Sequence, residues 1–368
     1  MAIGFPLLAT LAARRRWVPE WSSSIVLCYG LGILVANLHL WNVNGDLMEA
    51  LAGGSMLIGL PLLLFSVRIP DLVRYGRPML FSFFLCCLAG VCCTGLTGLL
   101  LQDEVGNGWQ IAGMLTGLYT GGTPNVQAIG IALQAPPEYV VLIQAADVLL
   151  GGSYLLGLVT FLPTLYAKFF RPTPGREDGS DDVQDTLHET ASWNMRLKQL
   201  GLSLLVTGGA FLLSWLMTGQ WFSPTALILF VTTLSLVLTA TPVVHRIGNA
   251  YPLGEYFVLI FCVALGLLAD FRQLANDGLE LLYFSAVALV ATTLLHLVLA
   301  KLFRVDRDTV ILSSVAAFYG PVFVVQVATA LRNHRLLASG IAVSLLGFAV
   351  GNYLGIGLAY TLRWLTIG

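Results

Sequence analysis

Long apolar runs separated by short polar breaks make up nearly the whole chain. They occupy 22–40, 47–67, 77–102, 109–133, 138–167, 198–217, 224–241, 252–269, 279–303, 308–331 and 336–362. Runs of this kind are helices able to cross a hydrocarbon core ~30 Å thick. A further run, 2–13, is shorter and ends in Arg14-Arg15-Arg16. A signal peptide carries its charges ahead of the apolar region, so this run predicts a short first helix. One stretch reads as aqueous, Arg171 through Asn194, with Glu177, Asp178, Asp181, Asp182, Asp185 and Glu189 among Pro and Gly. That is the composition of a flexible linker. It divides the chain into an N-terminal repeat (1–167), a hydrophilic linker (168–197) and a C-terminal repeat (198–368).

Composition narrows the class. Of 368 residues 57% are hydrophobic and 11% charged, and mean hydropathy is +0.81. Soluble domains average about 25% charged residues, so this chain cannot coat a globular surface with charge. Nineteen Lys and Arg nearly cancel twenty Asp and Glu, leaving no basic field for nucleic acid. Cys28, Cys86, Cys87, Cys92, Cys93 and Cys262 lie in apolar runs without the spacing of a zinc or redox site. The chain is an all-α polytopic membrane protein with the lipid bilayer as its first partner.

The charges also bear on orientation. With simple alternation of spans, Arg14–Arg16, Arg68, Arg74 and Arg77 share one side of the first half, while Asp46, Asp103 and Glu104 occupy the other. Continued through the linker, the same count puts Arg246, Lys301, Arg304, Arg307 and Arg363 on the wrong side. The second half therefore reads as inverted, and either one central run does not cross or one crossing is missing from the count.

Internal similarity supports two halves. Gly152-Ser153-Tyr154-Leu155 is echoed 199 residues later by Gly351-Asn352-Tyr353-Leu354. Upstream, Gly121-Gly122-Thr123-Pro124-Asn125-Val126-Gln127 interrupts one apolar run, and Tyr319-Gly320-Pro321-Val322-Phe323-Val324-Val325-Gln326 interrupts its counterpart. Proline removes a backbone donor and glycine loosens a helix, so Gly121, Gly122 and Pro124 predict a structural break that frees polar backbone at membrane depth. Such backbone survives only inside protein or beside a water-filled cavity. Transporters built from inverted repeats use paired half-helix ends as a binding site. Plain kinks are the competing reading.

Among ionisable groups within spans, Asp147 stands out, about ten residues into its run. A carboxylate at that depth costs at least ~2.5 kcal/mol and should face the protein interior. Gln144, Asp147, Gly151 and Tyr154 follow helical spacing along one face. With Asn125 and Thr123, Asp147 offers hard oxygen ligands for Na⁺, or a proton site. The competing reading is a protonated carboxyl bonding a neighbouring helix. The second half has Leu346 at the equivalent place, so a carboxylate site would be one-sided. His296 reads as a neutral histidine bonding a neighbouring helix, Glu255 as a helix-start carboxylate, Asp270 and Asp277 as solvated loop residues, and His188 as part of the linker. No nucleophile–base pair, phosphate loop or metal-protease motif is present, so no enzyme activity and no cofactor beyond a Na⁺ are expected.

Tyr119-Thr120-Gly121-Gly122-Thr123-Pro124-Asn125, with Ala145-Ala146-Asp147, Leu295-His296-Leu297-Val298, Gly320-Pro321 and the closing Gly347-Phe348-Ala349-Val350-Gly351-Asn352-Tyr353-Leu354-Gly355, resembles the family of domain of unknown function 819, the YjcL-like integral membrane proteins. That family is similar to cation-coupled carriers such as bile-acid and sodium–glutamate symporters and sodium–proton antiporters. The resemblance implies about 11–12 helices in two inverted repeats, with two crossed discontinuous helices in a core domain beside a panel domain, in a bacterial inner membrane. One departure stands out: the family's second motif carries Asn and Thr where this chain has Ala317, Val322 and Phe323. The expected function is secondary transport of a small organic solute by alternating access, coupled to Na⁺ or H⁺. The expected site residues are Thr123, Asn125, Gln127, Gln144, Asp147, Tyr154, Gly320, Pro321 and Gln326. Cation/proton exchange without an organic solute, or a non-transporting scaffold or receptor, are the alternatives, and a homodimer is admissible.

Overall fold

Backbone amides and carbonyls in hydrocarbon must pair within their own segment, and consecutive apolar residues do so by forming helices. The computed structural model describes residues 3–14, 24–38, 44–66, 77–101, 107–173, 192–219, 223–268, 271–331 and 333–367. Residues 174–191 of the linker lie outside this set, as do Arg15, Arg16, Arg68, Arg74, Asp103, Glu104 and Asp270, on which the charge asymmetry partly rests.

Each apolar run is helical where it is described. The first half gives α1 (Phe5–Arg14), α2 (Ser24–Asn37), α3 (Gly45–Leu64), α4 (Arg77–Leu100), the pair α5 (Gly108–Gly121) and α6 (Thr123–Ala132), and α7 (Pro137–Val159). A one-turn helix, α8 (Leu162–Tyr166), follows. The second half gives α9 (Trp193–Thr218), α10 (Pro224–Thr239), the short α11 (Pro242–His245), α12 (Tyr251–Gly266), α13 (Phe271–Leu302), the pair α14 (Arg307–Phe318) and α15 (Pro321–Ala330), a 3-10 turn at His334–Leu336, and α16 (Leu337–Ile367). The count exceeds twelve because two runs are split in the middle and two single turns stand alone. Run 138–167 was expected to be continuous. It ends at Val159, because Pro163 lacks the N–H that would close on the Val159 carbonyl.

Among the described residues, six helices are long and apolar enough to cross a membrane: Gly45–Leu64, Arg77–Leu100, Pro137–Val159, Trp193–Thr218, Gly278–Leu302 and Leu337–Thr366. Their outward faces carry Leu100, Leu149, Leu205, Val298 and similar side chains, each more than half exposed. So large an apolar surface belongs against lipid.

Packing sorts the helices into two groups. α3 packs on α12, α9 and α10, and α2 packs on α12. Separately, α4 packs on α13, α5 and α14, α16 packs on α5, and α7 packs on α13. Contacts of α10 with α6 and α16 join the groups. Each half runs through the same order: a long helix (α4, α13), a split helix (α5–α6, α14–α15) and a long glycine-rich helix (α7, α16).

Side-chain hydroxyls repair the backbone where proline opens it. Pro61 lies inside α3 and leaves the Leu57 carbonyl without its i+4 donor. The Thr207 hydroxyl of α9 donates to that carbonyl at 2.9 Å, and Ser203 donates to the Ile58 carbonyl at 2.7 Å. At the start of α14, Asp306 caps the Thr309 amide and accepts from Thr173. The buried Asp308 carboxylate takes Asn333 Nδ2 at 2.8 Å and Arg307 Nε at 2.7 Å. The latter group pins the end of α15 to the beginning of α14.

Candidate functional site

Both predicted interruptions are breaks between two helices. Gly122, between α5 and α6, has φ 79° and ψ −166°, a region open only to glycine. Pro124 then sits in the first turn of α6, where its missing N–H costs nothing. The second break repeats the solution, with Gly320 at φ 94° and Pro321 opening α15. The breaks touch: a Cβ built on Gly122 would lie 3.3 Å from the Phe318 carbonyl oxygen and 3.8 Å from the Gly320 nitrogen. Two helix C-termini and two N-termini thus converge, bringing partial negative and partial positive ends to one place. Among the described residues, no backbone amide closes on the Thr120, Gly121, Ala317 or Phe318 carbonyls.

A glycine seam allows this approach. Gly113, Gly117 and Gly121 of α5 face Gly347, Gly351 and Gly355 of α16, each triplet spaced by four. This is the small-residue ladder by which membrane helices approach closely. Asn125 uses the space: fully buried, it lies among Gly121, Gly347 and Gly351 and donates from Nδ2 to the Gly347 carbonyl at 3.0 Å. Its Oδ1 is buried and unpaired among the described residues. The opposite break docks on the other half in the same manner, with the Tyr319 hydroxyl donating to the Gly151 carbonyl of α7 at 2.7 Å.

Asp147 lies on the inward face of α7. Ile143, Gln144 and Gly151 on that face are buried, while Ala145, Leu149 and Ser153 on the opposite face are exposed. Asp147 itself is nevertheless partly accessible. It stands against Gly151, with Tyr319 Cε1 3.3 Å from the position a Gly151 Cβ would take. Tyr119 and Tyr319 both lie within its electrostatic reach. No hydrogen bond or ion pair reaches it among the described residues.

Aromatic rings continue from there. Phe318 lies 5.2 Å from Tyr119, 6.1 Å from Tyr154 and 6.1 Å from Tyr319, and Phe323 is 5.7 Å from Tyr319, all between ring centroids. The Tyr154 hydroxyl sits 3.4 Å from those of Ser314 and Tyr166.

The expected site residues therefore separate into neighbourhoods. Gly121, Gly122, Pro124, Gly320 and Pro321 form the double break. Thr123 is partly exposed beside it and makes no hydrogen bond through its hydroxyl among the described residues. Asn125 is tied to α16 and shares no hydrogen bond with Asp147. Gln127 turns towards α2 and α12, its Nε2 3.3 Å from Cys262 Sγ and 3.5 Å from the Tyr29 hydroxyl, with Oε1 unpaired. Gln144 is buried beside Asp147 in register, yet its Nε2 has no partner among the described residues. Tyr154 joins the aromatic group, and Gln326 is exposed on α15. His296, expected to bond a neighbouring helix, lies 3.5 Å from Ser82 of α4, which is 2.7 Å from Ser313.

Tyr119, Phe318 and Tyr319 were not among the sequence candidates. Their signal was present: aromatic residues stand one to three places before the break glycines Gly122 and Gly320 in Tyr119-Thr120-Gly121-Gly122 and Phe318-Tyr319-Gly320. A Na⁺ has suitable oxygens near Asn125 Oδ1 and the unpaired break carbonyls, which are hard, uncharged donors.

Comparison with known proteins follows this geometry. The profile of the family described as "Protein of unknown function (DUF819)" matches residues 5–365, so the chain belongs to that family. It is 25% identical over 367 residues to "Uncharacterized membrane protein YjcL" of Bacillus subtilis (strain 168), covering 94% of this chain and 91% of that protein.

Proposed function

We propose that this member of the DUF819 family is a secondary active transporter that moves a small organic solute by alternating access, coupled to Na⁺ or H⁺. The observation that carries the proposal is the contact between two glycine-hinged helix breaks, each braced on the long helix of the other half. Freed helix ends at membrane depth suit bound ligands, and an unpartnered carboxylate stands on the adjacent helix. In this reading the halves are inverted repeats. The group α4–α7 with α13–α16 moves as a core against the panel α1–α3, α9, α10 and α12, within a bacterial inner membrane.

The chemistry divides between neighbouring places. Asn125 Oδ1, the Thr123 hydroxyl and the break carbonyls supply oxygens for a Na⁺. Asp147 supplies the one negative charge, which a proton neutralises, so protonation changes the cost of exposing this surface to either side. Tyr319 couples the state of Asp147 to the second break through its bond to Gly151. No covalent step is involved, and the chain acts by binding and releasing.

Counterflow in proteoliposomes tests the reading. Vesicles preloaded with unlabelled metabolites should accumulate labelled counterparts, and Asp147→Asn should uncouple solute flux from at least one ion. Unchanged coupling to both ions in that variant removes Asp147 from the mechanism. Absence of solute and ion flux in the wild type removes the transporter reading.

A further inference from the structure

Asp147 is an anionic group with no cation among the described residues to balance it. Its surroundings are unusual for a metal or proton site alone. The phenol hydroxyls nearby are committed elsewhere: Tyr319 to the Gly151 carbonyl, Tyr119 to the Ser285 carbonyl at 3.2 Å, and Tyr154 beside Ser314 and Tyr166. Tyr319 brings ring carbon to the Gly151 position against which the carboxylate stands, and Tyr319, Tyr154 and Phe323 are partly accessible, like Asp147 itself. A small hard ion needs a shell of oxygens, and the hydroxyls of these residues are engaged with other partners. A carboxylate beside electron-rich rings instead suits a soft cation with apolar substituents, bound by charge and by cation–π attraction.

We infer that Asp147 with Tyr154, Tyr319 and Phe323, backed by the buried rings of Tyr119 and Phe318, forms a binding site for a small organic cation, an alkylated or quaternary ammonium, which competes with the coupling proton for the same carboxylate. The inference rests on the transporter reading and deepens it. One carboxylate neutralised by either partner, but not by both, makes the cycle an exchange: organic cation one way, proton the other. Phe323, 5.7 Å from Tyr319 between ring centroids, adds a further aromatic wall.

The titratable groups around Asp147 allow a simple competition. Tyr119 and Tyr319 face it from α5 and the second break, and Tyr154 lies one turn beyond Gly151 on α7. From the other helices packed on α7, His296 of α13 is turned to Ser82, and Tyr29 and Cys262 meet Gln127. Among the described residues, no second group is hydrogen-bonded to Asp147 to take its proton when a cation arrives.

The experiment is equilibrium binding to the purified, detergent-solubilised chain, by calorimetry and thermal stabilisation, with tetramethylammonium and choline as probes and acetate and glutamate as anionic controls. Expected are saturable binding of the cations only, affinity that weakens as pH falls, and proton release to an indicator dye on adding choline. Asp147→Asn should weaken choline binding at least about tenfold, as should Tyr319→Leu, whereas Tyr319→Phe should retain most of it because the ring remains. If Asp147→Asn does not fold, proton competition in the wild type decides the matter. Absence of cation binding, or choline affinity independent of pH, overturns the inference. Cation binding without flux in vesicles would instead sink the transporter reading and leave the site standing. Flux of an anionic or neutral solute without cation binding would do the reverse.

Discussion

Gly113→Ala tests whether the glycine seam holds the breaks together. A Cβ built there would lie 2.7 Å from Ala359 Cβ, 2.9 Å from the Gly355 carbonyl oxygen and 3.2 Å from Leu133 Cδ1. Carbon contacts are optimal near ~3.5–4.0 Å, so α5 and α16 must part by roughly 1 Å. Overpacking of this kind costs about 1–3 kcal/mol. Opposing it is the helix preference for alanine over glycine, worth up to ~1 kcal/mol. The expected net loss is about 1–2 kcal/mol. Gly152→Ala on α7 is the control, since nothing lies within 4 Å of its Cβ position, and only the propensity gain applies. Unfolding by SDS titration in mixed micelles, followed by circular dichroism, measures both. Adding Ala359→Gly should restore part of the loss and no more, because the Gly355 carbonyl still obstructs the new methyl. If Gly113→Ala proves as stable as Gly152→Ala, the helices are not in the close contact described, and the bracing of the first break loses its basis.

The same titration checks two further expectations. Thr207→Val should cost about 0.6 kcal/mol, the usual value of a hydrogen bond between membrane helices, and should cost less when Pro61→Ala has restored an amide for Leu57; equal costs in both backgrounds would refute the repair. Asp308→Ala should cost about 1.5–3 kcal/mol by leaving Asn333 and Arg307 without their charged acceptor, while Asp308→Asn loses less. An unchanged midpoint for Asp308→Ala would mean the link between the start of α14 and the end of α15 carries no stability.

Different parts of this architecture were legible from different kinds of signal. Helix positions follow from hydropathy because lipid leaves the backbone no other solution, which is why runs such as 77–102 and 224–241 need little adjustment. The breaks were legible because Gly-Pro chemistry is local: the backbone at Gly122 and Gly320 is open to few other residues. Partners were not legible, since a sequence does not say which glycine carbonyl a side chain will reach. Thus Asn125 was read as a companion of Asp147 but belongs to Gly347, and Gln127 belongs to Tyr29 and Cys262. Tyr319 is legible as part of the second break motif, but not as the residue whose hydroxyl reaches the Gly151 carbonyl. The four-residue glycine spacing was visible in both halves, yet it acquires meaning only when Gly113–Gly121 and Gly347–Gly355 face each other. That cross-half dependence has a mechanical consequence. Each break rests on the other half's long helix, so movement at one is resisted or assisted by the other, and on the proposed function a ligand at Asp147 would act on the second break through Gly151 and Tyr319.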